Sequence, residues 1–435
     1  MTHDSGTRDT DLLSRHKNVM PPWMPLFYEE PLEIVRGAGC VVTGSDDKSY
    51  LEFYSGIATN TVGYGVPDIQ EAVEKRLRTG VVHTSTYFLI REQVELAERI
   101  AALSGIPDPV VFFTCSGTEA VETALRLATE HRDSNQIIAL RYGYHGRSFG
   151  SLAVTGDRSR QGSGLSPLRV AYAHGGERRR GALAGLDDEA YVRACARDLE
   201  ETLRTCTPER TAAMIVEPVQ GIAGAIPLAP GQLTAYDDVL RRHGIPLIVD
   251  EIQTGWGRTG RYWGHQWHDV TPDVLVFAKG VGNGFAMGGL VGRRDIMSAL
   301  SAPTVSSFGG PPLSLTAALA TLDHIDARDL PARAGQAGAL FLDGLRESLA
   351  EEPWVCEVRG QGLLLAVEFA HPGTLEPAPE MAVKVQEECR ELALLVGVGG
   401  TFGNCLRIMP PLTVSEEQVV QATQIIAAAT RRARG

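Results

Sequence analysis

Short, uninterrupted apolar runs recur through the middle of the chain and alternate with segments of helical periodicity. The runs are rich in Val, Ile and Phe, and polar turns bound each of them, at residues 110–113, 137–140, 214–216, 245–249 and 274–277. Continuous apolar character indicates strands that are buried on both faces, and the intervening helices indicate parallel pairing. The pattern therefore predicts an α/β fold with a doubly wound, mostly parallel sheet.

Different patterns flank this region. The first forty residues are Pro-rich around residues 20–25, which favours an extended arm, and residues 39–53 have the pattern of a β-hairpin around Gly44-Ser45-Asp46-Asp47. Beyond residue 328 we expect two helices and two strands, namely helix 337–349, strand 363–369, helix 381–395 and strand 406–409. These patterns predict three parts: an N-terminal arm and meander (1–55), a large domain (56–325) and a C-terminal α+β domain (326–435).

Charge and composition narrow the class of protein. The formal net charge is −12, from 41 Lys and Arg against 53 Asp and Glu, which argues against nucleic acid and anionic membranes as partners. No apolar run has spanning length, and residues 1–11 are polar, so we expect a cytoplasmic protein. Seven scattered cysteines without a CxxC pair favour reduced thiols over a disulfide framework or a metal site. The Gly-rich stretch 175–188 is predicted to be a surface loop with a solvated arginine run.

Two charged residues stand where predicted strands end. Asp250 closes one apolar run and Lys279 follows another. In open α/β sheets, ligands bind at the carboxyl ends of the strands, so both side chains are expected at one site. A lysine amine and a neighbouring carboxylate are what pyridoxal 5′-phosphate (PLP) requires, because the amine forms a Schiff base and the carboxylate keeps the pyridine nitrogen protonated. An ion pair at the rim of the sheet is the alternative.

A third segment suits an anion. The run 110–113 leads through Ser116, Gly117 and Thr118 into a segment with a helical apolar stripe. A strand, a small polar turn and a helix N-terminus together present backbone N–H groups, hydroxyls and the helix dipole to a phosphate. Ser116 or Thr118 could equally serve as a helix N-cap, and both functions are compatible.

Six motifs in this order resemble those of the class III (subgroup II, ornithine/ω-amino-acid type) aminotransferases. They are Ser116-Gly117-Thr118-Glu119-Ala120, Tyr144-His145-Gly146-Arg147, Glu217-Pro218-Val219-Gln220-Gly221, Asp250-Glu251-Ile252-Gln253-Thr254-Gly255, Ala278-Lys279-Gly280 and Leu406-Arg407-Ile408-Met409-Pro410-Pro411-Leu412. The resemblance extends from about residue 31 to residue 419. It implies the type I fold of PLP transferases, with a large sheet domain and a smaller α+β domain built from the N-terminal segment and the C-terminal part.

The resemblance implies a role for each residue around the cofactor ring. Lys279 would form the Schiff base and then move the proton between substrate and cofactor, while Asp250 would bind the ring nitrogen. Gln253 would hydrogen-bond the ring hydroxyl. Tyr144 would stack on one face of the ring and Ile252 would pack on the other.

The remaining site residues follow from the same resemblance. Ser116, Gly117 and Thr118 would hold the phosphate, and Glu217 would support the ring-binding residues. The family completes its phosphate site with a hydroxyl group from a second subunit, which here is Ser307, so a homodimer with a shared active site is implied. Arg407 would bind a substrate carboxylate, with a structural ion pair as the alternative.

One departure from the family pattern bears on the substrate. Many members have an acidic residue two positions after the Gln of the Glu-Pro-Val-Gln-Gly motif, where it masks the carboxylate-binding arginine, whereas this chain has Ile222. Arg407 is then expected to stay available, as in the alanine–glyoxylate and β-alanine–pyruvate branches. Gly63-Tyr64-Gly65-Val66-Pro67 and Gly310-Pro311-Pro312 also depart from the common pattern and predict a specialised pocket.

The resemblance implies transfer of an amino group from an amine or amino acid to an oxo acid, with pyruvate or 2-oxoglutarate as the expected acceptor and ping-pong kinetics. A racemase, an aminomutase or a phospholyase on the same scaffold is the alternative among enzymes. A non-catalytic dimer of this fold would be expected to lack Lys279 or Asp250, and both are present. The identity of the donor is left open by the sequence.

Overall fold

Strands and helices alternate along the chain. A computed structural model describes residues 9–157, 160, 166–208 and 210–435. The strands are β1 (Ile34–Ala38), β2 (Val41–Gly44), β3 (Ser49–Glu52), β4 (Pro109–Thr114), β5 (Gln136–Leu140), β6 (Arg169–Ala173), β7 (Ala213–Val216), β8 (Val219–Gln220), β9 (Ile226–Pro227), β10 (Leu247–Asp250), β11 (Val274–Ala278), β12 (Gly288–Arg293), β13 (Val355–Gln361), β14 (Leu364–Phe369), β15 (Leu394–Leu395), β16 (Gly397–Gly399) and β17 (Cys405–Ile408). The helices are α1 (Asp9–Val19), α2 (Ser55–Ala58), α3 (Pro67–Leu77), α4 (Arg91–Ser104), α5 (Gly117–Arg132), α6 (Phe149–Ala153), α7 (Asp188–Thr205), α8 (Gln232–Arg242), α9 (Arg294–Met297), α10 (Pro312–Ala327), α11 (Leu330–Ser348), α12 (Pro379–Glu391) and α13 (Glu416–Ala433). Part of the polar N-terminus considered in the sequence, residues 1–8, lies outside the described residues.

The large sheet is the centre of the fold. Among the described residues it has seven strands in the order β4-β12-β11-β10-β7-β5-β6, and the strands β5, β6, β7, β10 and β11 are paired in parallel. Strand β12 runs antiparallel to both β4 and β11, so β4 points the same way as the parallel strands. The carboxyl ends of β4, β5, β7, β10 and β11 therefore meet at one edge, and the predicted mostly parallel α/β fold is confirmed.

Two strands of this sheet are not visible as apolar runs in the sequence. Strand β12 includes Gly288, Gly289 and Gly292. A Cβ at Gly289 would lie 2.6 Å from the ring of Phe277, so glycine is needed where β12 packs against β11. Strand β6 is the edge strand, and only its last residue is fully buried. Both strands are specified by tertiary packing more than by local hydrophobicity.

The chain ends form two smaller sheets, one mixed and one antiparallel. Strands β1, β2 and β3 form a meander that includes the predicted hairpin, and β15 from the C-terminal region adds to it in parallel beside β3. A second small sheet has the order β13-β14-β17-β16. The N-terminal and C-terminal regions thus build one part of the fold together, whereas the exact boundaries 1–55, 56–325 and 326–435 stay predictions.

Three local predictions need correction. The predicted helix 381–395 ends at Glu391, because Leu394 and Leu395 pair with β3, a partner that is distant in sequence. The first forty residues are not all an extended arm, because residues 9–19, which lack Pro and Gly, form helix α1 before the Pro-rich stretch. The arginines of the 175–188 loop are not a solvated run: Arg180 pairs with the buried Glu368 and Arg178 with Asp188, and these contacts fasten the loop.

No helix within the described residues is long and apolar enough to cross a membrane.

Candidate functional site

A cavity of about 360 Å³ opens at the edge where the carboxyl ends of the strands meet. Its walls come from segments that follow β4, β5, β7, β10 and β11, so residues far apart in sequence face one space. The lining residues are Ile57, Ser116, Gly117, Thr118, Tyr144, His145, Gly146, Arg147, Glu217, Ile222, Asp250, Ile252, Gln253, Ala278 and Lys279. All the residues predicted to contact the cofactor within one subunit are among them.

Lys279 follows β11 directly and faces the cavity. Its backbone has a φ of 50°, in the left-handed region that a non-glycine residue rarely adopts, so the backbone of this turn is strained. Burial of the amine, together with the positive charge of Arg407, lowers its pKa to about 8. Among the described residues Lys279 forms no ion pair with Asp250, because the partner of that carboxylate is His145. The alternative of a Lys–Asp ion pair is thus not what the structure contains.

This pKa has a measurable consequence in the ligand-free protein. Between pH 8 and the ordinary pKa of lysine, the unfolded chain binds a proton that the folded chain does not, so stability rises with pH across that window. We expect the free energy of unfolding of the wild type, relative to a Lys279→Met variant, to rise by roughly 1 to 3 kcal/mol from pH 7.5 to pH 10. Urea unfolding at several pH values measures it. A difference that is flat with pH would show an ordinary lysine.

Asp250 ends β10 and is fixed from two sides. Its Oδ2 is 2.7 Å from Nδ1 of His145, and its Oδ1 accepts the backbone N–H of Ile252 at 3.0 Å. Although burial opposes protonation, the hydrogen bond and the negative charge of Asp250 raise the pKa of His145. The carboxylate of Asp250 therefore favours the positively charged form of the imidazole beside it.

Glu217 is the second buried carboxyl group of the cavity. Burial raises its pKa to about 7, although the charge of His145 opposes the shift. Its Oε1 accepts the backbone N–H of Tyr144 at 2.8 Å, and its Oε2 accepts that of Gly221 at 3.1 Å. Glu217 thus joins the segments that follow β5 and β7. Its supporting role beside the cofactor ring stays a prediction.

The neighbouring acid, Glu251, faces away from the cavity. Its carboxylate accepts the backbone N–H groups of Gly264 and His265 and contacts Nδ1 of His265 at 2.8 Å. Consecutive side chains at a strand end point in opposite directions, so one acid serves the cavity and the other fastens the loop beyond it.

The N-terminus of α5 forms the end of the cavity that suits an anion. Ser116 is the N-cap, and its hydroxyl accepts the backbone N–H of Glu119. Gly117 and Thr118 are the first helical residues, and their N–H groups have no partner within the helix. A Cβ at Gly117 would lie 2.7 Å from Ile252 Cδ1, so only glycine leaves this space open. The hydroxyl of Thr118 is engaged with Ser148 and Ser151, which leaves its backbone N–H to contact a phosphate.

Arg407 and Ser307 do not line this cavity. Arg407 is buried in β17, where it donates from Nη2 to Oε1 of Gln253 at 2.9 Å and from Nη1 to the hydroxyl of Tyr54 at 2.9 Å. It reaches the cavity through Gln253. Ser307 lies in an exposed turn, outside the cavity of its own chain.

Six cavity residues were not singled out as site residues in the sequence: Ile57, His145, Gly146, Arg147, Ile222 and Ala278. His145 and Arg147 stand beside Tyr144 in one of the six motifs, so their position was available as a signal. Ile57 belongs to α2, a turn whose φ values are all positive, and no sequence pattern marks such a turn.

Comparison with known proteins places the chain in a family. Residues 27–430 match the family model described as aminotransferase class-III. The chain is 34% identical to alanine–glyoxylate aminotransferase 2 homolog 2 of Arabidopsis thaliana, covering 93% of this chain and 84% of that protein. It is 30% identical to an alanine/serine racemase of Pyrococcus horikoshii, covering 97% and 90%. A thermostable (S)-enantioselective omega-transaminase from Thermomicrobium roseum has a similar structure, with a TM-score of 0.90 at 30% identity, covering 98% and 99%.

Proposed function

Since the chain belongs to the class-III aminotransferases, which are PLP-dependent enzymes, we propose that it transfers an amino group from an amine or amino acid to a 2-oxo acid whose carboxylate is bound by Arg407. Transamination with PLP is common to this family. What we propose for this chain in particular is the class of its substrates and the role of each residue in the site.

The residues of the cavity fit PLP. The free N–H groups at the start of α5 suit the phosphate, and the space beside Gly117 would be filled by any Cβ. When bound, PLP supplies an electron sink for the substrate carbon that loses its proton. Asp250, positioned by its contact with His145, would bind the ring nitrogen, and Tyr144 and Ile252 would flank the ring.

Lys279 has the chemistry to hold the cofactor and to move a proton. An amine with a pKa of about 8 is partly uncharged near neutral pH, so it can act as a nucleophile and as a base. Ile222 and Ile57 give the cavity an apolar wall, which limits water beside the reacting atoms.

The observation that carries the proposal is a buried arginine without an anion. Within the described residues Arg407 forms no ion pair, and its guanidinium is held only by Gln253, Tyr54 and the sulfur of Met409. A buried guanidinium without a counter-ion is costly, and the planar fork suits a carboxylate. Ile222 stands where many family members have an acidic residue. Among the described residues that line the cavity, the carboxylates are Glu217 and Asp250, and both have other hydrogen-bond partners.

Replacement of Arg407 tests the proposal. We expect Arg407→Met to raise the KM for pyruvate and 2-oxoglutarate by about a hundredfold, because a charge-assisted bidentate contact is lost. The rate with an amine donor that lacks a carboxylate should change little. Steady-state kinetics and the absorbance change of the first half-reaction measure the two effects. Arg407→Lys is the matched control. Its KM for the oxo acids should lie between those of the wild type and Arg407→Met, since lysine keeps the charge without the planar fork. Equal loss with every substrate would contradict the proposal.

Arg147, a second arginine without an ion pair among the described residues, supports a dicarboxylate acceptor. Arg147 lines the cavity with an exposed side chain and forms no ion pair among the described residues. A distal carboxylate, as in 2-oxoglutarate, could contact Arg147 while the carboxylate beside the oxo group binds Arg407. An acceptor screen decides between 2-oxoglutarate and pyruvate, and equal efficiency for both would argue against a role for Arg147.

Racemisation is the second candidate, because one relative is described as an alanine/serine racemase. The same lysine and carboxylate would serve it, and the difference lies in whether an oxo product leaves. Incubation of single enantiomers of amino acids with and without an oxo acid separates the two. Inversion without an acceptor would favour a racemase, whereas a stoichiometric oxo product would favour transfer.

We also infer a homodimer. The segment before α4 and the turn at Ser307 both have exposed apolar side chains, namely Leu89 (99%), Tyr87 (79%), Phe88 (66%) and Phe308 (61%). Large exposed apolar patches are typical of protein interfaces. Ser307 of the partner subunit would then complete the phosphate site. Analytical ultracentrifugation should give twice the mass of one chain. A monomer that binds PLP to full occupancy would contradict a phosphate site shared between two subunits.

Residence in the cytoplasm is part of the same proposal. All seven cysteines are unpaired, which suits a reducing compartment. Fractionation of cells that produce the native protein tests this inference.

A further inference from the structure

Gln253 lies between the cavity and the buried arginine. It lines the cavity, whereas Arg407 does not, and its Oε1 accepts Nη2 of Arg407 at 2.9 Å. A guanidinium can only donate hydrogen bonds, so the atom of the amide that faces it must be the oxygen. The NH₂ group of Gln253 is then left to donate on its other side.

Two glycines leave room for this contact. A Cβ at Gly221 would lie 2.5 Å from Oε1 and 2.9 Å from Nε2 of Gln253. A Cβ at Gly399 would lie 2.6 Å from Cδ of Arg407. Separations below 3 Å are not tolerated between packed atoms, so the backbone on both sides fits these two side chains closely. The contact is therefore built into the packing.

Among the residues that the structure describes, the hydrogen-bond partners of Arg407 are all uncharged. Gln253 and the hydroxyl of Tyr54 each accept one hydrogen bond, and the Tyr54 ring centre is 5.5 Å from the guanidinium carbon. Neutral acceptors fix the direction of a guanidinium but leave its charge available to a ligand, whereas a carboxylate would neutralise it.

Resting on the proposed function of Arg407 as the carboxylate-binding residue, we propose that Gln253 is a positioning residue that holds Arg407 ready for a substrate carboxylate and couples that binding event to the cofactor. The amide oxygen orients Arg407. Its NH₂ group donates toward the ring side of the cavity, and hydrogen bonds in a chain polarise one another. Binding of a carboxylate at Arg407 then changes the hydrogen bond that Gln253 gives to the cofactor.

The test uses succinate, a dicarboxylate that has no oxo or amino group to react, added to the holoenzyme. In the wild type, succinate should shift the visible absorbance of the cofactor to saturation. Gln253→Glu should weaken succinate binding by about ten- to a hundredfold, because a permanent anion occupies Arg407. Gln253→Met, which lacks donor and acceptor, should abolish the absorbance shift even where succinate still competes with the oxo acid. Gln70→Met, at an exposed glutamine of α3, is the control and should behave as the wild type.

A second variant guards against misfolding at position 253. Gly221→Ala leaves the glutamine unchanged but displaces its amide, and it should weaken succinate binding in the same direction. Gly335→Ala is its control, because the added methyl group meets its nearest neighbour at an ordinary 3.6 Å. Unaltered succinate binding and absorbance in Gly221→Ala would contradict a positioning role.

Arg407→Met separates this inference from the proposed function. If it leaves succinate binding unchanged, the carboxylate site itself is wrong. If it abolishes binding while Gln253→Glu binds succinate as the wild type does, Arg407 binds carboxylates and the role of Gln253 is overturned. In the double variant Arg407→Met/Gln253→Glu, succinate binding should be no weaker than in Arg407→Met alone, because the effects of coupled residues are not additive.

Discussion

Lys279→Ala is expected to lower the rate of transamination by at least about 10⁴-fold, the largest effect of any single substitution in this chain. The amine is lost both as the group that bonds to the cofactor and as the base at the substrate carbon. The wild type, reduced with borohydride and digested, should carry the mass of the cofactor on the peptide that contains residue 279. The variant should carry it on no peptide, although the phosphate and ring contacts still allow reversible binding.

The lysine content makes this test unusually clean. The chain has five lysines, and Lys17, Lys48, Lys75 and Lys384 are all exposed on the surface. Lys384→Ala is therefore a matched control that should keep full activity and full labelling. Activity that persists in Lys279→Ala with the mass on another lysine would contradict the assignment.

The fold was predictable where the signal is local. Five of the strands in the large sheet are continuous apolar runs, and a strand buried on both faces must look like this in any sequence. Strand β12 was not predicted, because it is rich in glycine where it packs against the ring of Phe277 on the neighbouring strand. Strand β15 was not predicted, because its partner β3 is distant in sequence. Pairing between distant segments leaves little trace in either one alone.

The site was predictable to the same extent. Asp250 and Lys279 stand at strand ends, and the strand pattern alone gives that position a chemical meaning. Contacts across the chain could not be derived: that His145 is the partner of Asp250, that Gln253 meets Arg407, and that Tyr54 meets it from the other side. Each joins segments that follow different strands, so only the folded arrangement reveals them.

Asp250→Asn is expected to lower kcat by about 10³- to 10⁴-fold at nearly unchanged volume. An amide cannot supply the negative charge that would keep the ring nitrogen of the cofactor protonated, and it leaves His145 without its charged partner at 2.7 Å. Single-turnover kinetics, with cofactor content measured alongside, separate this loss from loss of binding. Asp238→Asn, at an exposed position of α8, is the control for the same chemical change. If Asp250→Asn retained wild-type kcat at full cofactor occupancy, the carboxylate would be only a structural partner of His145, and the electrostatic basis of the proposed site would have to be sought in Glu217.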